Sequence, residues 1–190
     1  MKILVTGGLG FIGSHVVVEL LNKSYDVIVV DNLSNSTIDV LEGIRTICNK
    51  EPEFEKLDLR DKLAVSDFFV RNQDINGVIH FAASKAVGES VENPLLYYEN
   101  NINTLVYLLQ ELQKLPISNL IFSSSCTVYG QADVLPITES APVKPAESPY
   151  GNTKQVGEEI IADVCKVNSS LSAIALRYFN PIGSHHSADW

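Results

Sequence analysis

The chain has 190 residues, 45% of them hydrophobic and 19% charged, which is the composition of a folded globular protein rather than a disordered one. Its length suffices for one ordinary domain, burying about 70% of the surface that the unfolded chain would expose. The net charge of -9 excludes a sequence-independent grip on nucleic acid, which needs Lys and Arg to neutralise phosphates, but it leaves room for an anionic ligand held by backbone N–H groups at a helix N-terminus.

Apolar runs alternate with helical patterns along the chain. Lys2 to Thr6 is a short β-branched strand that breaks at Gly7, and Phe11 to Lys23 carries Ile12, Val16 and Leu20 at helical spacing. Asp26 to Val30 reads as a second strand, and Thr37 to Asn49 as a helix on Ile38, Leu41, Ile44 and Ile47. Phe54 to Leu57 is a third strand, Lys62 to Asn72 a third helix and Gly77 to Ala82 a fourth strand, followed by one long helix over Pro94 to Lys114. Asn119 to Ser124 is a fifth strand, Thr153 to Asn168 a further helix and Ser172 to Tyr178 a sixth strand. Strands that are apolar on both faces and alternate with helices form a parallel sheet covered on both sides. The expected fold class is therefore α/β, a doubly wound parallel sheet of Rossmann type. The longest irregular stretch, Thr127 to Pro149, holds Pro136, Pro142, Pro145 and Pro149, and a stretch well beyond about 12–15 residues is usually a functional loop or lid. Residues 1–183 read as one domain, while 184–190 form a polar tail with no closing element.

Cys48, Cys126 and Cys165 fit neither a paired nor a metal-ligand spacing, so they read as free thiols in a reducing cytoplasm and no metal site is expected. No apolar run approaches the roughly 18 residues of a membrane span, and the N-terminus enters a strand directly. The expectation is a cytoplasmic protein without a membrane partner.

Three motifs carry chemistry. The first is Thr6-Gly7-Gly8-Leu9-Gly10-Phe11-Ile12-Gly13, between the first strand and the first helix. Gly7 permits the tight exit from the strand, Gly10 lets backbone approach a pyrophosphate, and Gly13 removes a Cβ where helix packs on sheet. Asp31 stands at the end of the second strand, eighteen residues beyond Gly13. A carboxylate there accepts from the adenosine ribose and repels a 2′-phosphate, which favours NAD over NADP; the bland reading is a turn rich in glycine with Asp31 as its cap. The second motif is Tyr150-Gly151-Asn152-Thr153-Lys154, with Tyr and Lys on one face of a helix start. An ammonium beside a phenol favours the phenolate, lowering its pKa from about 10, and such a phenol exchanges a proton with a sugar hydroxyl at neutral pH. The third is Ser123-Ser124-Ser125 at the end of the fifth strand, where open α/β sheets bind their ligands and where serine is also a common turn former.

Together these elements resemble the extended short-chain dehydrogenase/reductase family over essentially the whole chain. Local strings are similar to its nucleotide-sugar 4-epimerases: Val-Ile-His-Phe-Ala-Ala at 78–83, Lys85 to Ser90, Tyr97 to Asn101, Ser123 to Gly130, and Arg177 to Gly183. The resemblance implies an NAD-dependent isomerase that interconverts UDP-galactose and UDP-glucose by transient oxidation at sugar C4. It places Gly7, Gly10, Phe11, Ile12 and Gly13 at the pyrophosphate, and Asp31, Asn32, Asn35 and Ser36 around the adenosine ribose. Asp58 and Leu59 would lie by the adenine, and Phe81, Ala82, Ala83 and Lys85 along the cofactor's path to the nicotinamide, with Asn100 steadying that region. Tyr150 would be the acid/base, Lys154 its tuner and a ligand to the nicotinamide ribose, and Ser125 a hydrogen-bond partner of the reacting oxygen. Tyr178 would border the nicotinamide. Lys85, Ser125, Tyr150, Phe179 and Asn180 would face the UDP-sugar.

The sequence departs from the family pattern at Ala83-Ser84, where Gly-Leu is commoner, at Thr104-Leu105 in place of Gly-Thr, and at Cys126 in place of alanine. Family members also carry a second, substrate-binding lobe, of which residues 184–190 would be the truncated start. A 4,6-dehydratase would carry Asp-Glu where this chain has Cys126-Thr127, which cannot supply that proton chemistry. Epimerases of N-acetylhexosamine or pentose UDP-sugars, and a non-catalytic NAD-binding protein on the same fold, are the alternatives. By the same resemblance a homodimer is expected on the helices at 95–114 and 153–168, with Leu105, Leu108, Leu109 and Leu112 as an apolar stripe.

Overall fold

A computed structural model describes residues 1–116 and 118–185. Six strands, β1 (Lys2–Thr6), β2 (Asp26–Asp31), β3 (Glu53–Lys56), β4 (Ile75–His80), β5 (Ser118–Ser125) and β6 (Leu171–Tyr178), form one sheet in the order β3-β2-β1-β4-β5-β6. Every pairing is parallel. The helices are α1 (Phe11–Asn22), α2 (Val40–Cys48), α3 (Lys62–Arg71), α4 (Val87–Glu92), α5 (Pro94–Tyr98), α6 (Thr104–Leu112) and α7 (Pro149–Val167), with a π-helical segment at Glu99–Asn103 and a 3-10 turn at Cys126–Tyr129.

Side chains alternate across a strand, and here the central strands β2, β1, β4 and β5 feed two cores. Ile3 and Val5 of β1 join Val27 and Val29 of β2 against Val17, Val18, Leu21 and Ile44 of α1 and α2. Leu4, Ile28 and Val30 point the other way, against Phe68, Leu105, Leu108, Leu109 and Ile161 of α3, α6 and α7. β1 and β2 read as unbroken apolar runs because neither of their faces meets water. Strand order reverses at the β1–β4 pair, so the connections diverge there and open a crevice beyond the carboxyl ends of the strands. Beneath it, Thr6 Oγ1 and His80 Nδ1 lie 2.7 Å apart across that pair, and burial holds the His80 imidazole neutral, its pKa pushed down to about 3.

The expected doubly wound sheet is present, but several bounds shift. The fourth strand runs Ile75–His80 rather than Gly77 to Ala82, because Ile75 pairs with Lys2 across an irregular register step. The second helical pattern shortens at its start, α2 beginning at Val40 after a turn closed by the Thr37 carbonyl. The single helix expected over Pro94 to Lys114 is three pieces, α5, the π segment and α6, and α4 precedes them where no helix was expected. Pro94 sets the first break by holding Asn93 out of helical conformation (φ -129°, ψ 62°). Thr104, standing where the family pattern has glycine, donates to the Asn100 carbonyl at 2.6 Å and closes the widened turn. The last helix starts at Pro149 rather than Thr153, with Ser148 as its cap, accepting from the Gly151 N–H at 3.1 Å.

The leucine stripe expected at a second copy is instead buried in the chain's own core, all four side chains at 2% exposure or less. β6 is an edge strand whose Ile174 and Leu176 side chains stand 62% and 40% exposed. The tail expected at 184–190 lies, from residue 186 onward, outside the described residues. Among the described residues no helix is long and apolar enough to cross a membrane, no group of three or more His, Cys, Asp or Glu is placed to hold a metal ion, and Cys48, Cys126 and Cys165 are unpaired.

Candidate active site

The crevice is floored by glycine because nothing larger fits. Gly7 has φ +65°, and a Cβ there would lie 2.7 Å from the Ala82 backbone nitrogen. At Gly13 a Cβ would lie 2.3 Å from the Gly7 carbonyl oxygen, so the first turn of α1 rests directly on the end of β1. Phe11 and Ile12 follow in that turn, the former 48% exposed, and with His15, Tyr178 and Ile182 they line an open cleft of about 330 Å³.

Asp31 closes the second side. One carboxylate oxygen accepts from the Leu9 N–H at 3.2 Å, the other from the Leu33 N–H at 2.9 Å and the Ser36 hydroxyl at 2.8 Å. The side chain thus caps its own turn, the bland reading of the sequence, and also ties that turn to the glycine loop. Asn32 donates to Asp58 at 3.4 Å, joining the ends of β2 and β3. The Arg60 guanidinium beside it holds the Asp58 carboxyl down at about 2. Leu59 is buried in the core rather than open to the crevice, and Asn35 is exposed on its rim.

Beyond β4, Phe81 tilts against Tyr178 with ring centres 6.3 Å apart, and Ala82 and Ala83 are half-buried. Lys85 is exposed at the crevice mouth. Asn100 donates to the Ser84 hydroxyl at 3.1 Å, but the neighbour that sequence reasoning assigned no role does more. Asn101, 6% exposed, accepts from the Ser84 N–H at 2.8 Å and donates to the Ser84 carbonyl at 2.9 Å and the Thr153 hydroxyl at 3.0 Å. Thr153 in turn donates to the Tyr150 carbonyl at 2.7 Å. The π segment therefore links the loop after β4 to the first turn of α7, in keeping with the frequency of such bulges at functional sites. Its only sequence signal was a pair of asparagines inside an apolar helical pattern.

Ser125 ends β5 and accepts from the Thr127 N–H at 3.2 Å, starting the 3-10 turn. Tyr150 and Lys154 occupy successive turns of α7, and the Tyr150 hydroxyl meets the Ser125 hydroxyl at the strand end. Lys154 is 4% exposed, its ammonium donating to the Ser123 carbonyl at 2.7 Å and lying 5.0 Å from the Phe122 ring centre and 5.8 Å from that of Tyr150. Burial lowers Lys154 from 10.5 to about 8. Burial likewise raises Tyr150 above its ordinary 10, against a smaller downward pull from the Ser125 hydroxyl. Burial thus outweighs the phenolate-favouring effect expected of Lys154, whose ammonium lies beside the ring. On the sugar side, Phe179 stacks on Tyr129 with ring centres 6.5 Å apart and, like Asn180, is exposed.

A reversed-order parallel sheet, a glycine cradle, a strand-end acid and a Ser–Tyr–Lys group define a dinucleotide-binding protein of the dehydrogenase type. The NAD dependent epimerase/dehydratase family model matches residues 3–189, and the chain belongs to that family. It is 49% identical to the UDP-glucose 4-epimerase of Pasteurella multocida over 187 residues, 98% of this chain and 55% of the relative. It superposes on the UDP-glucose 4-epimerase of Bifidobacterium longum, solved in complex with NAD+ and UDP, with a TM-score of 0.96 and 46% identity, covering 100% of this chain and 56% of that one. A Stenotrophomonas maltophila UDP-glucose 4-epimerase structure, with NAD and formylated UDP-arabinopyranose bound, gives 0.94 and 43%, with 100% and 56% covered. The chain thus spans about half the length of the relatives it matches.

Keeping Lys154 charged while buried costs stability. A pKa held at about 8 instead of 10.5 corresponds to about 3 kcal/mol. That cost is full below pH 8, where both states are protonated, and disappears as pH rises from 8 to 10.5, where the unfolded state still binds the proton. Lys154→Met should therefore raise the melting temperature at pH 7, by an increment that shrinks to nothing near pH 10.5. Thermal melts of both proteins across that range check it, and an increment independent of pH would refute the assignment.

Proposed function

We propose that the protein is an NAD-dependent 4-epimerase that interconverts UDP-galactose and UDP-glucose. The observation that carries this reading is that Tyr150 meets Ser125 with the Lys154 ammonium beside its ring, on a sheet whose first strand ends in the Gly7–Gly13 cradle. The cradle fits a dinucleotide: a Cβ at Gly7 or Gly13 would collide with backbone, and without one the N-terminus of α1 is open to a pyrophosphate. Gly7, Gly10, Phe11, Ile12 and Gly13 would hold that group, Asp31, Asn32, Asn35 and Ser36 the adenosine ribose, and Asp58 the adenine, with the buried Leu59 packed behind it. Phe81, Ala82, Ala83, Lys85, Asn100 and Tyr178 would line the path to the nicotinamide. When bound, NAD supplies a reversible hydride acceptor.

The chain's own residues move the proton. Tyr150 Oη takes it from the sugar 4-hydroxyl as that carbon is oxidised, and returns it after the ring has presented its other face. Ser125 holds the reacting oxygen by a hydrogen bond that strengthens as charge develops. The Lys154 ammonium stabilises the phenolate and reaches the nicotinamide ribose. Lys85, Phe179 and Asn180 face the nucleotide sugar. Residues 1–183 act as the cofactor domain, and grip on the sugar comes from a second lobe of the kind that the relatives' additional length provides.

A second reading, a 4-epimerase of N-acetylhexosamine or pentose UDP-sugars, is supported by the arabinopyranose nucleotide in the Stenotrophomonas protein. Elimination chemistry is disfavoured, since Cys126 and Thr127 offer no carboxylate pair beside Ser125. The cytoplasm, with its reducing conditions, suits three unpaired thiols. A homodimer through α5, α6 and α7 is supported by Leu95 and Leu96, 80% and 39% exposed on α5, rather than by the buried leucine stripe of α6.

Asp31→Ala should narrow the preference for NAD over NADP by about tenfold or more, the effect of one lost charge-assisted hydrogen bond; calorimetric titration with each cofactor measures it, and equal binding of both by the unaltered chain would defeat the reading. Tyr150→Phe should cut kcat about 100-fold or more, as expected for an acid/base group, while NAD stays bound, with Ser125→Ala giving a smaller fall. These rates are to be followed with UDP-galactose in an enzyme of the relatives' full length carrying this chain; loss of NAD binding instead would make Tyr150 structural. Light scattering should give twice the chain mass, and Leu95→Glu should halve it. A monomer at all concentrations removes the dimer.

A further inference from the structure

Behind the Ser–Tyr–Lys group lies a polar cluster to which no function has yet been given. Glu158, on α7, receives three hydrogen bonds: from the Ser124 hydroxyl at 2.5 Å, from Arg177 Nε at 3.0 Å and from Arg177 Nη2 at 2.7 Å. The Arg177 guanidinium also lies 4.8 Å from the Tyr129 ring centre. Three elements are joined at this point, β5 through Ser124, β6 through Arg177 and α7 through Glu158. We infer that the Glu158–Arg177 pair, with Ser124, is the positioning device that seats the helix carrying Tyr150 and Lys154 against the strand end carrying Ser125. The inference rests on the roles proposed for those three residues and adds what holds them in register.

The geometry argues for positioning in three ways. First, Tyr150, Lys154 and Glu158 follow at intervals of four on α7 and so share one helix face. That face is fixed to β5 at consecutive residues, Lys154 to the Ser123 carbonyl and Glu158 to the Ser124 hydroxyl. Second, Ser124 is registered with Arg177 across β5 and β6, and the next row is Ser125 with Tyr178. One carboxylate therefore fixes the row directly below the reacting one. Third, the pair is a poor choice for stability alone. Its side chains are only 18% and 25% exposed, and an ion pair so far removed from water is often matched by apolar side chains of the same size. What the apolar pair lacks is direction, since a bidentate guanidinium–carboxylate contact fixes orientation as well as distance. Burial works against charge on Glu158, yet Arg177 and Ser124 hold its pKa below the ordinary carboxylate value.

The test separates orientation from stability by reading the Tyr150 phenol, which is held in a water-poor site facing Ser125 and Cys126 from the strand end, Tyr97 from α5 and Lys154 from its own helix. The double variant Glu158→Met/Arg177→Met removes one charge of each sign, so the field at the phenol is nearly balanced. Phenolate absorbance near 295 nm is titrated in the 190-residue chain, with the Tyr150→Phe counterpart subtracted to isolate one tyrosine. The expected result is an unchanged or higher melting temperature with the Tyr150 titration moved down by about half a pH unit or more, toward the ordinary value near 10, as water reaches the loosened phenol. Ser124→Ala, which alters no charge and leaves the ion pair in place, should move it the same way by less. If the double variant fails to fold, Ser124→Ala alone decides. A titration that stays in place in the folded variants overturns the inference. If Tyr150→Phe leaves turnover intact in the full-length assay, the proposed catalytic role fails, while the titration still reports whether the clamp seats the helix.

Discussion

The carboxyl edge of this sheet depends on how closely α1 approaches the end of β1. With Gly13 against the Gly7 carbonyl and Gly7 against the Ala82 backbone, three chain segments meet at backbone distance, and no side chain can stand between them. That contact sets the height of the helix N-terminus above the sheet, and hence where a phosphate would find N–H groups rather than a methyl. It also fixes the floor from which the other parts are measured. Asp31 reaches the loop through the Leu9 N–H, and the Thr6 hydroxyl and carbonyl receive Ala82 and Phe81 at the start of the next loop.

Around this floor the polar groups are arranged as links between elements rather than as isolated surface contacts. Asn101 ties the Ser84 loop to α7, Lys154 and Glu158 tie α7 to β5, and Arg177 carries the tie to β6. Each link is buried or nearly so, where an unmade hydrogen bond is expensive and a made one is directional. The same burial that makes the links specific also suppresses charge. His80 is held neutral, and burial lowers Lys154 well below the ordinary lysine value.

Much of this was legible in the sequence, for reasons that can be named. Strands buried on both faces announce themselves as apolar runs, and a glycine cradle followed by a helix and an acid at the next strand end is a local pattern with a local cause. Tyr150 and Lys154 were legible because four-residue spacing on a helix is itself a geometric statement. Asn101, Glu158 and Arg177 were not, because their partners lie between 17 and 52 residues away and nothing local distinguishes a buried asparagine or glutamate from a solvated one. The π segment was missed for the same reason: an insertion in the helical repeat leaves the apolar pattern nearly intact. The start of α7 was misread because Ser148-Pro149, a cap and first turn, closes a proline-rich stretch and looks like loop. The direction of the phenol's pKa was misjudged because sequence shows that a lysine is near but not how deeply the tertiary fold buries the phenol.

The two margins of the sheet are treated differently, and this bears on how the chain behaves in solution. β3 is a four-residue strand, Glu-Phe-Glu-Lys, with Glu53 and Glu55 engaged by Lys2 and Arg71, so its free backbone is brief and fenced with charge. β6 is eight residues long, and its outward face shows Ile174 and Leu176 to water. Edges of the second kind are templates for another strand, and proteins ordinarily shorten, charge or cover them. Among the described residues β6 carries no such protection, so the two margins call for different neighbours: β3 tolerates water, whereas the outward face of β6 has the character of a surface made to be covered.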